Sequence, residues 1–162
     1  MPVPILILGD APNLPTGLAR IARDLAAHLH AHADSLDVDI AQLGLDYDGT
    51  PYPWRVYPVL DRDNWAQDDL ERVWAWHARG RPGVLLTLWD PARCVGTAGV
   101  DFVGSRWGYF AVDGNNPDGK IGGPAAQTLR RYQRVLAYTD YGARVLKKTL
   151  GAGEIQWLPH GI

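Results

Sequence analysis

Cysteine is almost missing from this chain, with Cys94 its only representative. No disulfide can form within it, and a reducing compartment, the cytoplasm, is the expected setting. An excess of charge of one sign is missing too: 16 Lys and Arg against 18 Asp and Glu leave a formal net charge of −2. That balance argues against a general nucleic-acid binder, which needs a basic surface to neutralise phosphates. No apolar run approaches the roughly 18 residues of a membrane span, so no integral membrane segment is expected. The short apolar run behind Met1 has no basic stretch before it and no small-residue cleavage site after it. It reads as a core strand and not as a signal peptide. No internal repeat, low-complexity tract or linker divides the sequence, and its 162 residues suit one domain spanning 1–162.

Tryptophan and proline are plentiful, at seven and twelve residues. The chain is organised by its first 30 residues or so. Ile5–Leu8 is an apolar run too short for a helix. A loop with Pro12 and Pro15 follows and closes on Thr16-Gly17. Leu18, Ile21, Ala22, Leu25 and Leu29 then recur at helical spacing, with Arg20, Arg23 and Asp24 between them. A buried strand feeding a helix through a polar loop is the first half of a βαβ unit. In open parallel sheets ligands gather beyond the carboxyl ends of the strands, which directs attention to the loop from Gly9 to Gly17.

The remaining pattern alternates. The first helix is predicted over Gly17–Ala33 with Thr16 as N-cap, and a strand over Asp37–Leu43. Trp54–Val59 reads as an edge strand, because Pro53 and Pro58 bar it from a sheet interior. A helix is predicted over Asn64–Arg79 with Gly80 as its stop, and a buried strand over Val84–Leu88. Trp107–Val112 and Val135–Tyr138 are further strands, separated by a short helix over Pro124–Arg131. Thr139 or Asp140 caps a helix that Gly151 closes, and Ile155–Leu158 is a last strand. This succession predicts a Rossmann-like three-layer α/β sandwich with a mostly parallel, doubly wound sheet.

Three pieces in order resemble the N-terminal domain of a GT-B fold glycosyltransferase, of the retaining, glycosyl transferase family 4-like group. They are the strand Tyr109–Val112 ending in Asp113-Gly114, the strand Val135–Tyr138 followed by Thr139 and a helix, and Trp157-Leu158-Pro159-His160-Gly161. The opening strand, glycine-containing loop and long helix agree with them. The resemblance implies transfer of a sugar from a nucleotide-sugar donor to an acceptor, with the donor as substrate and no cofactor or metal. It also implies a C-terminal domain or partner chain that carries most donor contacts and is missing after Ile162. A chain ending on Pro159-His160-Gly161-Ile162 reads as a domain cut at its boundary.

Site residues follow. A glycine and a helix N-terminus let backbone N–H groups approach a phosphate, so Thr16, Gly17 and Arg20 are assigned to the donor diphosphate. The resemblance implies Asp113 near the reacting sugar carbon, His160 and Gly161 at the cleft floor or hinge, and Trp89, Asp90 and Asn115 in the acceptor pocket. The competing reading is a non-catalytic Rossmann-like module that binds a nucleotide or sugar, or docks on a partner. A response-regulator-like domain lacks the required acidic cluster after the first strand, where only Asp10 stands. Gly114–Lys120 matches part of a phosphate-binding loop, but Ile121 replaces the hydroxyl residue that holds Mg²⁺. The Asp37/Asp39, Asp46/Asp48 and Asp61/Asp63 pairs and the His28, His30, His32 cluster read as solvated polar groups rather than metal ligands.

Overall fold

A computed structural model describes residues 1–151 and 155–159. Its centre is a seven-stranded sheet in which every pairing is parallel. The strands are β1 (Val3–Asp10), β2 (Val38–Leu45), β3 (Arg55–Pro58), β4 (Gly83–Leu88), β5 (Gly104–Phe110), β6 (Arg134–Ala137) and β7 (Gln156–Trp157). Their order is β3-β2-β1-β4-β5-β6-β7. This is the doubly wound α/β arrangement expected from the sequence, with two progressions running outward from the β1–β4 pair.

Five α-helices connect the strands: α1 (Gly17–Ala31), α2 (Ala33–Leu36), α3 (Gln67–Ala78), α4 (Gly123–Leu129) and α5 (Asp140–Leu150). A right-handed crossover places a helix on one face when the chain moves one way across the sheet, and on the other when it moves back. Accordingly α1 lies on one face, where Ala22 and Ala26 pack with Ile7, Ile40 and Leu88. Helices α3, α4 and α5 contribute Leu70, Val73, Leu129, Val145 and Leu146 to the core on the other, with Leu6, Leu8, Leu43, Leu85 and Phe110. Alanines on the buried side of α1 let its backbone approach the sheet closely. Close approach governs the strands as well: a Cβ on Gly83 would stand 2.2 Å from the carbonyl oxygen of Pro4.

Several boundaries move, each for a local reason. Strand β1 extends to Asp10, so that residue ends the strand rather than opening the loop. Asp37, expected as a strand residue, has φ of 51° and closes α2 as a left-handed C-cap. Helix α3 begins at Gln67 rather than Asn64, because Trp65 and Ala66 both adopt left-handed φ, 50° and 67°. It ends before Gly80 because Arg79 already has φ of 52°. The β4–β5 connection contains two short 3₁₀ turns, Pro91–Cys94 and Thr97–Gly99, in place of an α-helix. Strand β5 starts three residues earlier than its apolar pattern, because Arg106 is drawn inward. The Arg106 guanidinium donates to the carbonyls of Thr97 at 2.9 Å and Val100 at 2.6 Å and lies 4.8 Å from the Phe102 ring. Helix α5 has the predicted caps, with Thr139 accepting from the Gly142 N–H at 3.0 Å and Gly151 left-handed at φ 65°. No helix among the described residues is long and apolar enough to cross a membrane.

His77, near the end of α3, ties that helix to the amino edge of the sheet. Its Nε2 lies 3.0 Å from the carbonyl oxygen of Asp39 and 3.2 Å from that of Ile5, so Nε2 carries the proton and donates. Burial lowers the His77 pKa from its ordinary 6.5, against opposing effects of the Asp39 charge and the two carbonyl contacts, and with a smaller lowering by Arg55. The folded protein therefore keeps this ring neutral at pH values where the unfolded chain protonates it. The contribution is complete above 6.5 and declines as pH falls below it. Urea unfolding at about pH 7.5 and about pH 5.5 is expected to show lower stability at the acid value, with a smaller loss in His77→Gln. Equal losses in both proteins would contradict this account.

Candidate active site

Strands β1 and β4 are neighbours, yet the chain leaves them in opposite directions. From β1 it crosses to β2, and from β4 it proceeds to β5. Connections diverging from adjacent strands leave a crevice at their carboxyl ends. Because all pairings are parallel, the segments after β1, β4 and β5 emerge on the same edge of the sheet. Residues 9–17, Asp90 and Asp113 thus share one edge, although they are distant in sequence.

Asp10 stands at this point and is only 6% exposed. Its carboxylate accepts from the Trp89 indole N–H at 2.9 Å and from the Thr16 hydroxyl at 2.8 Å. Arg93 Nη1 lies 3.7 Å from the same oxygen that Trp89 contacts. The Asp10 carbonyl accepts from the Gln42 amide at 3.0 Å, and Gln42 accepts from the Trp54 indole at 3.2 Å. Buried carboxylates are tolerated only when paired and hydrogen-bonded, and Asp10 is both. One anion therefore joins the end of β1, the cap of α1 and the end of β4. The sequence pattern assigns Asp10 no role. Its signal was an acidic residue closing the first apolar run, six residues before a helix cap.

Thr16 has a double function. Its oxygen accepts from the Ala19 N–H at 3.0 Å while its hydroxyl donates to Asp10. Its carbonyl accepts from the Arg20 N–H at 3.0 Å. This capping leaves the N–H groups of Gly17 and Leu18 outside the helix's own ladder. A Cβ on Gly17 would meet nothing within 4 Å, so packing within the chain does not require glycine there. Arg20 stands one turn into α1. It is largely exposed on the flank of α1, 3.7 Å from Asp24. Arg23 is the arginine that returns to the loop, donating to the Pro12 carbonyl at 3.5 Å.

Trp89, expected in an acceptor wall, has no exposed surface. Its ring packs edge-on against Trp65 at 5.8 Å and its N–H is spent on Asp10, so it supports the crevice rather than lining it. The left-handed backbone at Trp65 sets this contact, and Arg93 lies 4.8 Å over the Trp65 ring. Asp90 caps the first 3₁₀ turn by accepting from the N–H groups of Ala92 at 3.0 Å and Arg93 at 3.2 Å, and it pairs with the Arg93 guanidinium at 2.9 Å. Cys94 is buried and its thiol donates to the Asp90 carbonyl at 3.3 Å. Burial pushes that thiol up to about 12, which rules it out as a nucleophile at neutral pH.

Asp113 is exposed, and no hydrogen bond or ion pair among the described residues engages its carboxylate. Asn115 accepts from the Tyr141 hydroxyl, which fastens the loop after β5 to α5. In the Gly114–Lys120 segment the N–H groups of Asn116, Gly119 and Lys120 bond within the loop, so they form no phosphate cradle. Asp39 pairs with Arg81 at 3.1 Å, Asp46 pairs with Arg62 at 3.0 Å, and Asp48 accepts from the Thr50 N–H at 2.9 Å. The His28 and His32 rings lie 4.6 Å apart, tilted at 57° to one another. Among the described residues, no group of three or more His, Cys, Asp or Glu side chains is placed to hold a metal ion. His160 and Gly161 lie outside the described residues.

Comparison with known proteins adds no family assignment: no protein-family model matches the chain, and no curated protein matches it.

Replacing Trp89 by Phe keeps the ring and removes one donor from a buried carboxylate. The expected cost is about 1–3 kcal/mol in urea unfolding, the range for leaving such a group short of a partner. A change smaller than about 0.5 kcal/mol, typical of a surface substitution, would show that Asp10 does not depend on Trp89.

Proposed function

We propose that this chain is the N-terminal, acceptor-side domain of a GT-B glycosyltransferase that uses a nucleotide-sugar donor, and that it works in the cytoplasm. The observation carrying the reading is the crevice between β1 and β4, where the loop before α1, Asp90 and the segment leading to Asp113 share the carboxyl edge of a parallel sheet. In the transfer, the bond between the sugar's anomeric carbon and the diphosphate breaks, a bond to the acceptor oxygen forms, and the acceptor's hydroxyl proton passes to the departing diphosphate or to Asp113. Negative charge grows on the leaving diphosphate. The N–H groups of Gly17 and Leu18, at the positive end of α1, are suited to face it. Arg20 joins them at small cost, since its pairing with Asp24 is exposed. Asp113, exposed and unengaged among the described residues, is assigned to the reacting carbon or the acceptor hydroxyl. Asp10 is excluded as a base, because its carboxylate is already occupied by Trp89, Thr16 and Arg93. A second domain or chain would close the cleft and supply the remaining donor contacts.

The same observation about Asp10 favours a second reading. With the central carboxylate serving structure, the domain can be a non-catalytic module that binds a nucleotide or sugar, or docks on a partner.

Titration with UDP-, GDP- and ADP-glucose, followed through backbone amide shifts, tests the proposal. At least one of them is expected to move the amides of Gly17, Leu18 and Asp113 together. Shifts confined to the opposite edge, around Pro2, Arg81 and Gly104, would contradict it, and no shift from any of the three would favour the docking module.

A further inference from the structure

All-parallel sheets are ordinarily covered on both faces. Among the described residues the coverage stops halfway. From β4 the chain moves in one direction through β5 and β6 to β7, so right-handed connections place the helices described after β4, α4 and α5, on the face already occupied by α3. On the opposite face α1 lies over the β1–β2 side, and beside it runs an apolar groove of about 680 Å³. Val84, Leu86, Trp107, Tyr109 and Leu136 form its floor, and Ile21, Leu25 and Leu29 of α1 form its wall. The floor has no charged residue. Trp107 and Leu158 remain 37% and 48% exposed.

We infer that this groove receives an amphipathic α-helix of a partner protein, with carboxylates flanking the helix's apolar stripe. The shape selects a helix. Neighbouring helices on a sheet lie about 8–10 Å apart, so a rod beside α1 touches both floor and wall, whereas a flat sheet would strike α1 first. A second copy of this chain is disfavoured by charge: its own α1 would turn Arg20, Asp24 and His28, all exposed, toward the apolar floor. The rim selects the flanking charge. Arg20 stands on the wall side. Arg134 pairs in register with Trp107, which places it on the groove's face at the far side, and it is exposed. Against these two arginines the wall offers one carboxylate, Asp24, one turn from Arg20. Carboxylates beside the stripe therefore find complementary charge on both sides. This inference uses the face of the sheet, whereas the glycosyltransferase reading uses its carboxyl edge, and Arg20 stands at the border of the two.

The test is fluorescence anisotropy with a labelled peptide of about 18 residues, carrying leucine at i, i+3, i+4, i+7, i+8 and i+11 and glutamate beside that stripe. Micromolar binding is expected. Trp107→Glu and Leu158→Glu are each expected to weaken it about tenfold or more without lowering thermal stability, since both side chains are more than a third exposed. Arg134→Glu is expected to reverse the preference toward a lysine-flanked peptide. No binding at about 1 mM, or equal affinity for the unaltered protein and all three variants, would overturn the inference. So would a homodimer in sedimentation that Trp107→Glu dissolves, because the occupant would then be a second copy.

Discussion

A carboxylate with almost no access to water is held by two hydrogen bonds and one ion pair, from the cap of α1 and the segment after β4, and the rest of the candidate site is arranged around it. Asp10 ends β1, Thr16 caps α1, and Trp89 and Arg93 follow β4. Each partner is fixed by something else. Thr16 is held by its bond from Ala19, Trp89 by its packing on Trp65, and Arg93 by Asp90 and the Trp65 ring. A charge buried this deeply is strongly unfavourable unless all its partners arrive together. That condition couples the first loop to the β4 end, and so fixes the mouth of the crevice.

Much of the fold could be read from the sequence because its signals are local. Ile5–Leu8 and Val84–Leu88 are near-continuous apolar runs, the mark of strands buried on both faces. Thr16, Thr139 and Gly151 announce helix ends through their own chemistry, and each caps as read. Signals that depend on distant partners were not legible. Asp10 and Trp89 are 79 positions apart, and nothing near either residue states that they meet. A tryptophan at a strand end can turn outward to a ligand or inward to the core, and Trp89 turns inward. Consecutive left-handed residues at Trp65 and Ala66 have no sequence mark, since neither is glycine or asparagine. Arg106 hid the start of β5, because a buried guanidinium satisfied by carbonyls looks like a solvated arginine in a sequence.

Helix α1 serves two surfaces with one amphipathic pattern. Its first turn faces the crevice, where capping by Thr16 leaves two N–H groups free of the helix ladder. Its flank, through Ile21, Leu25 and Leu29, walls an apolar groove that no helix among the described residues covers. The asymmetry follows from connectivity: the helices described after β4, α4 and α5, fall on the α3 face. The crevice at the edge and the groove on the face thus meet at the start of this helix, where Gly17 and Arg20 border both.

The account depends most on the coupling of Asp10 to Trp89, and a double-mutant cycle measures it directly. Unfolding free energies of the unaltered protein, Asp10→Ala, Trp89→Phe and the combined variant isolate the pairwise energy. The account predicts a coupling of about 0.5–3 kcal/mol, with the second substitution costing much less once the first is made. Additive losses would show that the two ends of the crevice are held independently, and would contradict it.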